Sequence, residues 1–113
     1  MTFTTVEHGD VTVLKVEGNL MGGPDASALN SRLHELVEGG TRQVVIDLKG
    51  VAFMNSSGLG LLIGGASTMK NAGGGLRLAN ASEKIMALIK ITKLESLFDN
   101  YASVDDAVAS FRR

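Results

Sequence analysis

Gln43-Val-Val-Ile-Asp-Leu-Lys-Gly-Val-Ala-Phe-Met-Asn-Ser-Ser-Gly-Leu-Gly60 is the stretch on which the reading of this 113-residue chain turns. Gln43 to Leu48 is rich in β-branched residues and apolar on both faces, the pattern of a central strand covered on each side. Lys49-Gly50 breaks it. After Val51 to Met54, the polar run Asn55-Ser56-Ser57 stands at the entrance of a second pattern. There Leu59, Leu62, Ile63, Ala66 and Met69 recur near helical spacing. The spacing predicts a helix from Ser57 through Met69, stopped by Gly73-Gly74-Gly75, with Ser57 as its cap and the Ser56 hydroxyl facing outward. Gly60, Gly64 and Gly65 each cost roughly 1 kcal/mol in a helix interior, so close packing against the sheet or another helix is expected there. A strand feeding directly into a helix is a βα unit and calls for a parallel neighbour.

Working outward, Thr2 to Glu7 and Val11 to Glu17 read as two strands of a hairpin joined by His8-Gly9-Asp10. Asn19 to Asp25 is a loop, because Gly-Gly-Pro continues neither regular element. Asp25 is read as the N-cap of a helix reaching about Glu38, with Leu29, Leu33, Leu36 and Val37 as its apolar stripe. On the other side, Leu76 to Ala79 is a short strand. Ser82 (or Asn80) caps a helix carrying Ile85, Leu88 and Ile89, and Leu97 to Tyr101 is a last strand or extended segment. Ser103 opens a terminal helix with Asp105 and Asp106 in its first turn and Arg112-Arg113 at its end, a charge order that suits the helix dipole. The expected order is β-β-α-β-α-β-α-β-α: an α/β fold with a mixed, mostly parallel sheet of four or five strands, opened by an N-terminal hairpin, and about four helices.

Composition narrows the function classes. The chain is 44% hydrophobic but 4% aromatic, so aliphatic residues fill its core. Eleven Lys+Arg against twelve Asp+Glu give a net charge of −1, with no clustered cations for a nucleic-acid backbone. The absence of Cys excludes disulfides, thiolate metal sites and thiol nucleophiles, and two His are too few for a His cage. No cofactor, catalytic residue or metal ligand is expected. The N-terminus has no cationic-then-apolar leader, and the uncharged run from Gly50 to Met69 is too rich in Gly, Ser and Asn for a membrane span. A cytoplasmic protein is expected. Asp47, at the end of its strand, makes no triad with Ser56, because no Gly-X-Ser-X-Gly elbow surrounds that serine.

The chemistry that remains is that of two serines at a helix mouth. Unpaired N–H groups and positive partial charge there stabilise an anion, and a phosphoryl group on Ser56 would bring roughly −1.5 to −2 charge to them. Phe53-Met54-Asn55-Ser56-Ser57-Gly58-Leu59-Gly60 resembles the signature of the STAS domain, specifically that of bacterial anti-sigma-factor antagonists. Their usual form is Asp-Ser-Ser-Gly-Leu-Gly after a Phe-Met pair, and Asn55 is the one departure. The resemblance extends over the chain, through the hairpin, the turn at Gly18 and Leu20, and the late Ile89, Ile91-Thr92-Lys93-Leu94 and Leu97-Phe98. It implies a single STAS domain over residues 1–113 and a non-enzymatic switch.

In that family the first serine of the pair, here Ser56, is phosphorylated by a kinase that doubles as the anti-sigma factor. The unphosphorylated form binds that factor and so frees the sigma factor, and a protein serine phosphatase reverses the modification. The implied docking surface comprises Met21, Gly22, Gly23, Asp25, Asn55, Ser56, Ser57 and Gly58, on a monomer or weak dimer. Met21 directly follows Leu20, where the antagonists commonly place Asp. Alternatives from other classes are a module binding a small anionic ligand (nucleotide or lipid) at the same helix end, or a scaffold of a signalling complex.

Overall fold

The computed structural model describes residues 2–21 and 23–112, the side chains of Asp25 and Ala26 excepted. Five strands lie in the order β1 (Thr2–His8), β2 (Val11–Glu17), β3 (Gln43–Gly50), β4 (Gly75–Ala79) and β5 (Asn100–Tyr101). β1 and β2 are antiparallel and every other pairing is parallel. The two-residue hairpin turn is made at Gly9, whose φ of 64° suits glycine. Helices α1 (Pro24–Glu38), α2 (Ser56–Asn71) and α3 (Glu83–Ile91) carry the parallel crossovers, and α4 (Val104–Ser110) closes the described chain.

The side chains of β3 alternate between two cores. Val44, Ile46 and Leu48 join Leu14, Val16, Leu76 and Leu78 beneath α1, α2 and α3, whereas Val45 joins Val11, Val13 and Ala79 beneath α4. Each residue of β3 from Val44 to Leu48 is buried, as expected of a strand covered on both faces. Ser82 and Ser103 cap α3 and α4, accepting from the N–H groups of Ile85 and Asp106.

Three local expectations are corrected. The N-cap of α1 is Gly23, without a side-chain cap bond, and Asp25 falls in the first turn. Pro24 begins the helix, where its missing N–H removes no helical bond, and so the start lies two residues upstream of the expected one. Leu97 to Tyr101 is divided: Glu95–Leu97 forms a 3-10 turn, Phe98 is buried, and only Asn100–Tyr101 pairs with β4. Finally, the last turn of α4 holds no basic residue; the Arg112 guanidinium instead donates to the His8 carbonyl at 3.0 Å, fastening this end to the hairpin turn. Arg113 lies outside the described residues.

Candidate functional site

At the C-terminal end of the parallel strands, the segment following β2 is stitched to the segment following β3. Gly18 donates its N–H to the Gly50 carbonyl and Leu20 to the Phe53 carbonyl, each at 3.0 Å. Asn55 donates to the Leu20 carbonyl at 3.4 Å, and Leu20 and Met54 form an isolated parallel bridge. Leu20 and Met54 are buried while Met21 and Phe53 are exposed, at 43% and 48%. Leu20, with Met21 directly after it, is thereby set beside the start of α2.

The start of α2 differs from the sequence expectation in one residue with consequences. Its cap is Asn55, not Ser57: Asn55 has an extended backbone, and its Oδ1 accepts from the Gly58 N–H at 2.8 Å. Asn is among the best N-caps and wins the position because its carbonyl reaches the third N–H of the helix. Ser56 and Ser57 therefore occupy the first two helical positions, both exposed. At those positions the backbone N–H groups have no partner within the helix, so a negative charge placed there is stabilised by them and by the dipole.

Gly58 is buried for a reason that its dihedrals do not reveal. A β-carbon at this position would overlap the Leu20 carbonyl. Only glycine lets the loop lie directly on the first turn of α2. Gly65 is similarly close to a neighbour, its β-carbon position lying 2.9 Å from Leu33 Cδ1 of α1, in keeping with the packing expected of it. At Gly60 and Gly64, however, a β-carbon would meet nothing within 4 Å among the described residues, so packing against those residues does not explain them.

Asp47 is buried at 5% exposure, and its Oδ1 accepts from the Lys49 N–H at 3.1 Å and the Asn80 Nδ2 at 2.9 Å. It ties β3 to the residue after β4, a structural task, and Asn80 has a φ of 60°. His34 is exposed on α1. Among the described residues no group of His, Asp or Glu is arranged to hold a metal ion, and no helix is long and apolar enough to cross a membrane.

Of the residues implicated from sequence, the structure brings together Met21, Asn55, Ser56, Ser57 and Gly58, with Gly23 capping the adjoining helix. Gly22 lies outside the described residues, and of Asp25 only the backbone position in α1 is described. Phe53 was not among them. Its exposure follows from an irregular extended segment in which Ala52 and Phe53 both face out between buried Val51 and Met54, so no period in the sequence announces it.

This architecture, a hairpin-led parallel sheet with a serine pair opening the helix after its central strand, defines a STAS-type domain. Residues 2–107 match the STAS domain family, and the chain belongs to it. Among its relatives, the anti-sigma-B factor antagonist of Bacillus subtilis strain 168 is 35% identical over 96 residues, covering 82% of this chain and 87% of its own. The crystal structure of an anti-sigma factor antagonist from Mycobacterium paratuberculosis superposes with a TM-score of 0.82 at 29% identity, over 99% of this chain and 94% of that one. The Bacillus cell fate determinant SpoIIAA in its phosphorylated form shares the fold, with a TM-score of 0.76 at 18% identity over 98% of this chain and all 100% of that one.

Proposed function

We propose that this protein is a single-domain anti-sigma-factor antagonist controlled by phosphorylation of Ser56, cytoplasmic and without catalytic activity of its own. The observation that carries the reading is the placement of Ser56: exposed, at the first position of α2, and relieved of capping by Asn55. A capping serine would hold its oxygen against the backbone; Ser56 has its hydroxyl available to a kinase. The name of the Bacillus subtilis relative supports the choice of an anti-sigma factor as partner; the serine kinase activity of that partner is part of the proposal.

In the unphosphorylated state the anti-sigma factor docks over the start of α2 and the adjoining loop. Transfer of the γ-phosphoryl group of ATP to the Ser56 oxygen, with release of ADP and the hydroxyl proton, places a dianionic group in that contact. The helix N-terminus stabilises the new charge, so the fold persists, while the docked partner would have to desolvate it. On a chain of net charge −1, one phosphoryl group more than doubles the negative charge. A serine phosphatase restores the binding form.

Incubation with the cognate kinase and ATP, followed by peptide mass spectrometry, should place one phosphate on Ser56 in the wild type and in Ser57→Ala, and none there in Ser56→Ala. Ser56→Asp should weaken binding to the anti-sigma factor while Ser56→Ala preserves it. Labelling of Ser57 instead, or full affinity of Ser56→Asp, refutes the switch.

A further inference from the structure

We infer that Met21 and Phe53 form an apolar anchor through which the anti-sigma factor grips this protein, so that affinity at the switch arises from burying uncharged surface and not from charge pairing; this rests on the reading of Ser56 as the switch. Two observations carry it. First, the two side chains flank the Leu20–Met54 bridge on its outer side, exposed at 43% and 48%, while Leu20 and Met54 fill the core. The chain has only four Phe and one Tyr, and a Phe is left half in water three residues before Ser56. The backbone bonds from Leu20 to Phe53 and from Asn55 to Leu20 hold this patch rigidly on the residues that lead into α2. Anchors already fixed in place lose little freedom on binding, and aromatic residues in that role commonly dominate an interface.

Second, both segments that frame the serine are without charge. No Asp, Glu, Lys or Arg occurs from Gly18 to Pro24, nor from Gly50 to Met69. The occupant that fits is therefore the anti-sigma factor presenting an uncharged, apolar recess. Asp25, at the border of the first segment, is the one charge named in the docking surface, too little for a strongly acidic or basic partner face to pair with. The same neutrality explains why one modification suffices: the phosphoryl group would bring a charge into segments that otherwise carry none, and its desolvation would oppose the apolar gain.

The test is titration calorimetry of the full chain with the purified anti-sigma factor kinase in the absence of ATP. Phe53→Ser and Met21→Ser are compared with Ile91→Ser, an apolar residue still more exposed, at 78%, and at the end of α3. Circular dichroism should show all three variants folded, since none removes a buried side chain. The expected result is a loss of affinity of roughly tenfold or more for Phe53→Ser, a smaller loss for Met21→Ser, and none for Ile91→Ser. Wild-type affinity should change by less than about twofold between roughly 50 and 500 mM salt. Undiminished binding by Phe53→Ser, or a steep fall with salt, overturns the anchor and leaves the Ser56 switch standing. Failure of the wild type to bind any anti-sigma factor kinase overturns both.

Discussion

Three glycines of α2 should respond to the same substitution with opposite signs. At Gly60 and Gly64 an added methyl meets nothing within 4 Å among the described residues, so alanine brings only its better helix propensity. That advantage is up to about 1 kcal/mol at each site. At Gly58 the methyl overlaps the Leu20 carbonyl, a backbone atom that cannot rotate aside. The loop must then lift from the helix, at an overpacking cost of about 1–3 kcal/mol. Weakening of the Leu20 hydrogen bonds to Phe53 and Asn55 adds about 1 kcal/mol, and the propensity gain returns about the same amount. The net expectation for Gly58→Ala is a loss of about 2 kcal/mol, or roughly 8 °C in Tm at about 4 °C per kcal/mol for a domain of this size. Gly60→Ala and Gly64→Ala should raise Tm by about 2–4 °C each. Thermal and urea unfolding followed by far-ultraviolet circular dichroism decide the matter. A neutral Gly58→Ala, or a destabilised Gly60→Ala, would refute the argument from the space around each glycine.

Asn55→Ala removes the cap of α2 and should cost about 1 kcal/mol in urea unfolding. Asn55→Asp keeps the cap and should be neutral to slightly stabilising before phosphorylation, since a carboxylate suits a helix N-terminus. With phosphoserine incorporated at position 56, Asn55→Asp should instead melt below the equally phosphorylated wild type, because the two anions repel; an unchanged order of Tm values would show that they do not interact. Asp47→Ala leaves the Asn80 amide and the Lys49 N–H without their acceptor and should lower stability by about 1–3 kcal/mol while phosphorylation of Ser56 proceeds normally. Loss of phosphorylation in a folded Asp47→Ala protein would assign that carboxylate a part in the switch.

Much of the fold was legible because its signals are periodic. The apolar run at Gln43 to Leu48 announced a strand buried on both faces, and Ser82 and Ser103 announced the helices they cap. What escaped was governed by contacts between segments distant in sequence. That Asn55 and not Ser57 caps α2 depends on how the chain enters the helix, and the entry is set by the bridge to Leu20. The need for glycine at position 58 is likewise a matter of a carbonyl 38 residues earlier, invisible to any local pattern. Asn55, which departs from the usual Asp of the signature it resembles, caps α2 without a charge. Phe53 was read as half of an apolar pair, whereas only its neighbour Met54 faces inward.

Because α2 is suspended from β3, the strand with hydrogen-bonded neighbours on both sides and a core on each face, its first turn is moored to the part of the molecule least prone to open. Amide exchange should be slowest along Val44 to Leu48 and fast at the frayed margins of β1 and β5. A recognition surface carried on a drifting loop would pass through many shapes and be misread by chance in some of them. One moored in this way keeps its outline between events, so under the proposed switch a change in what it signals requires a chemical act and its reversal requires another. Such a surface stores a record that thermal motion does not erase.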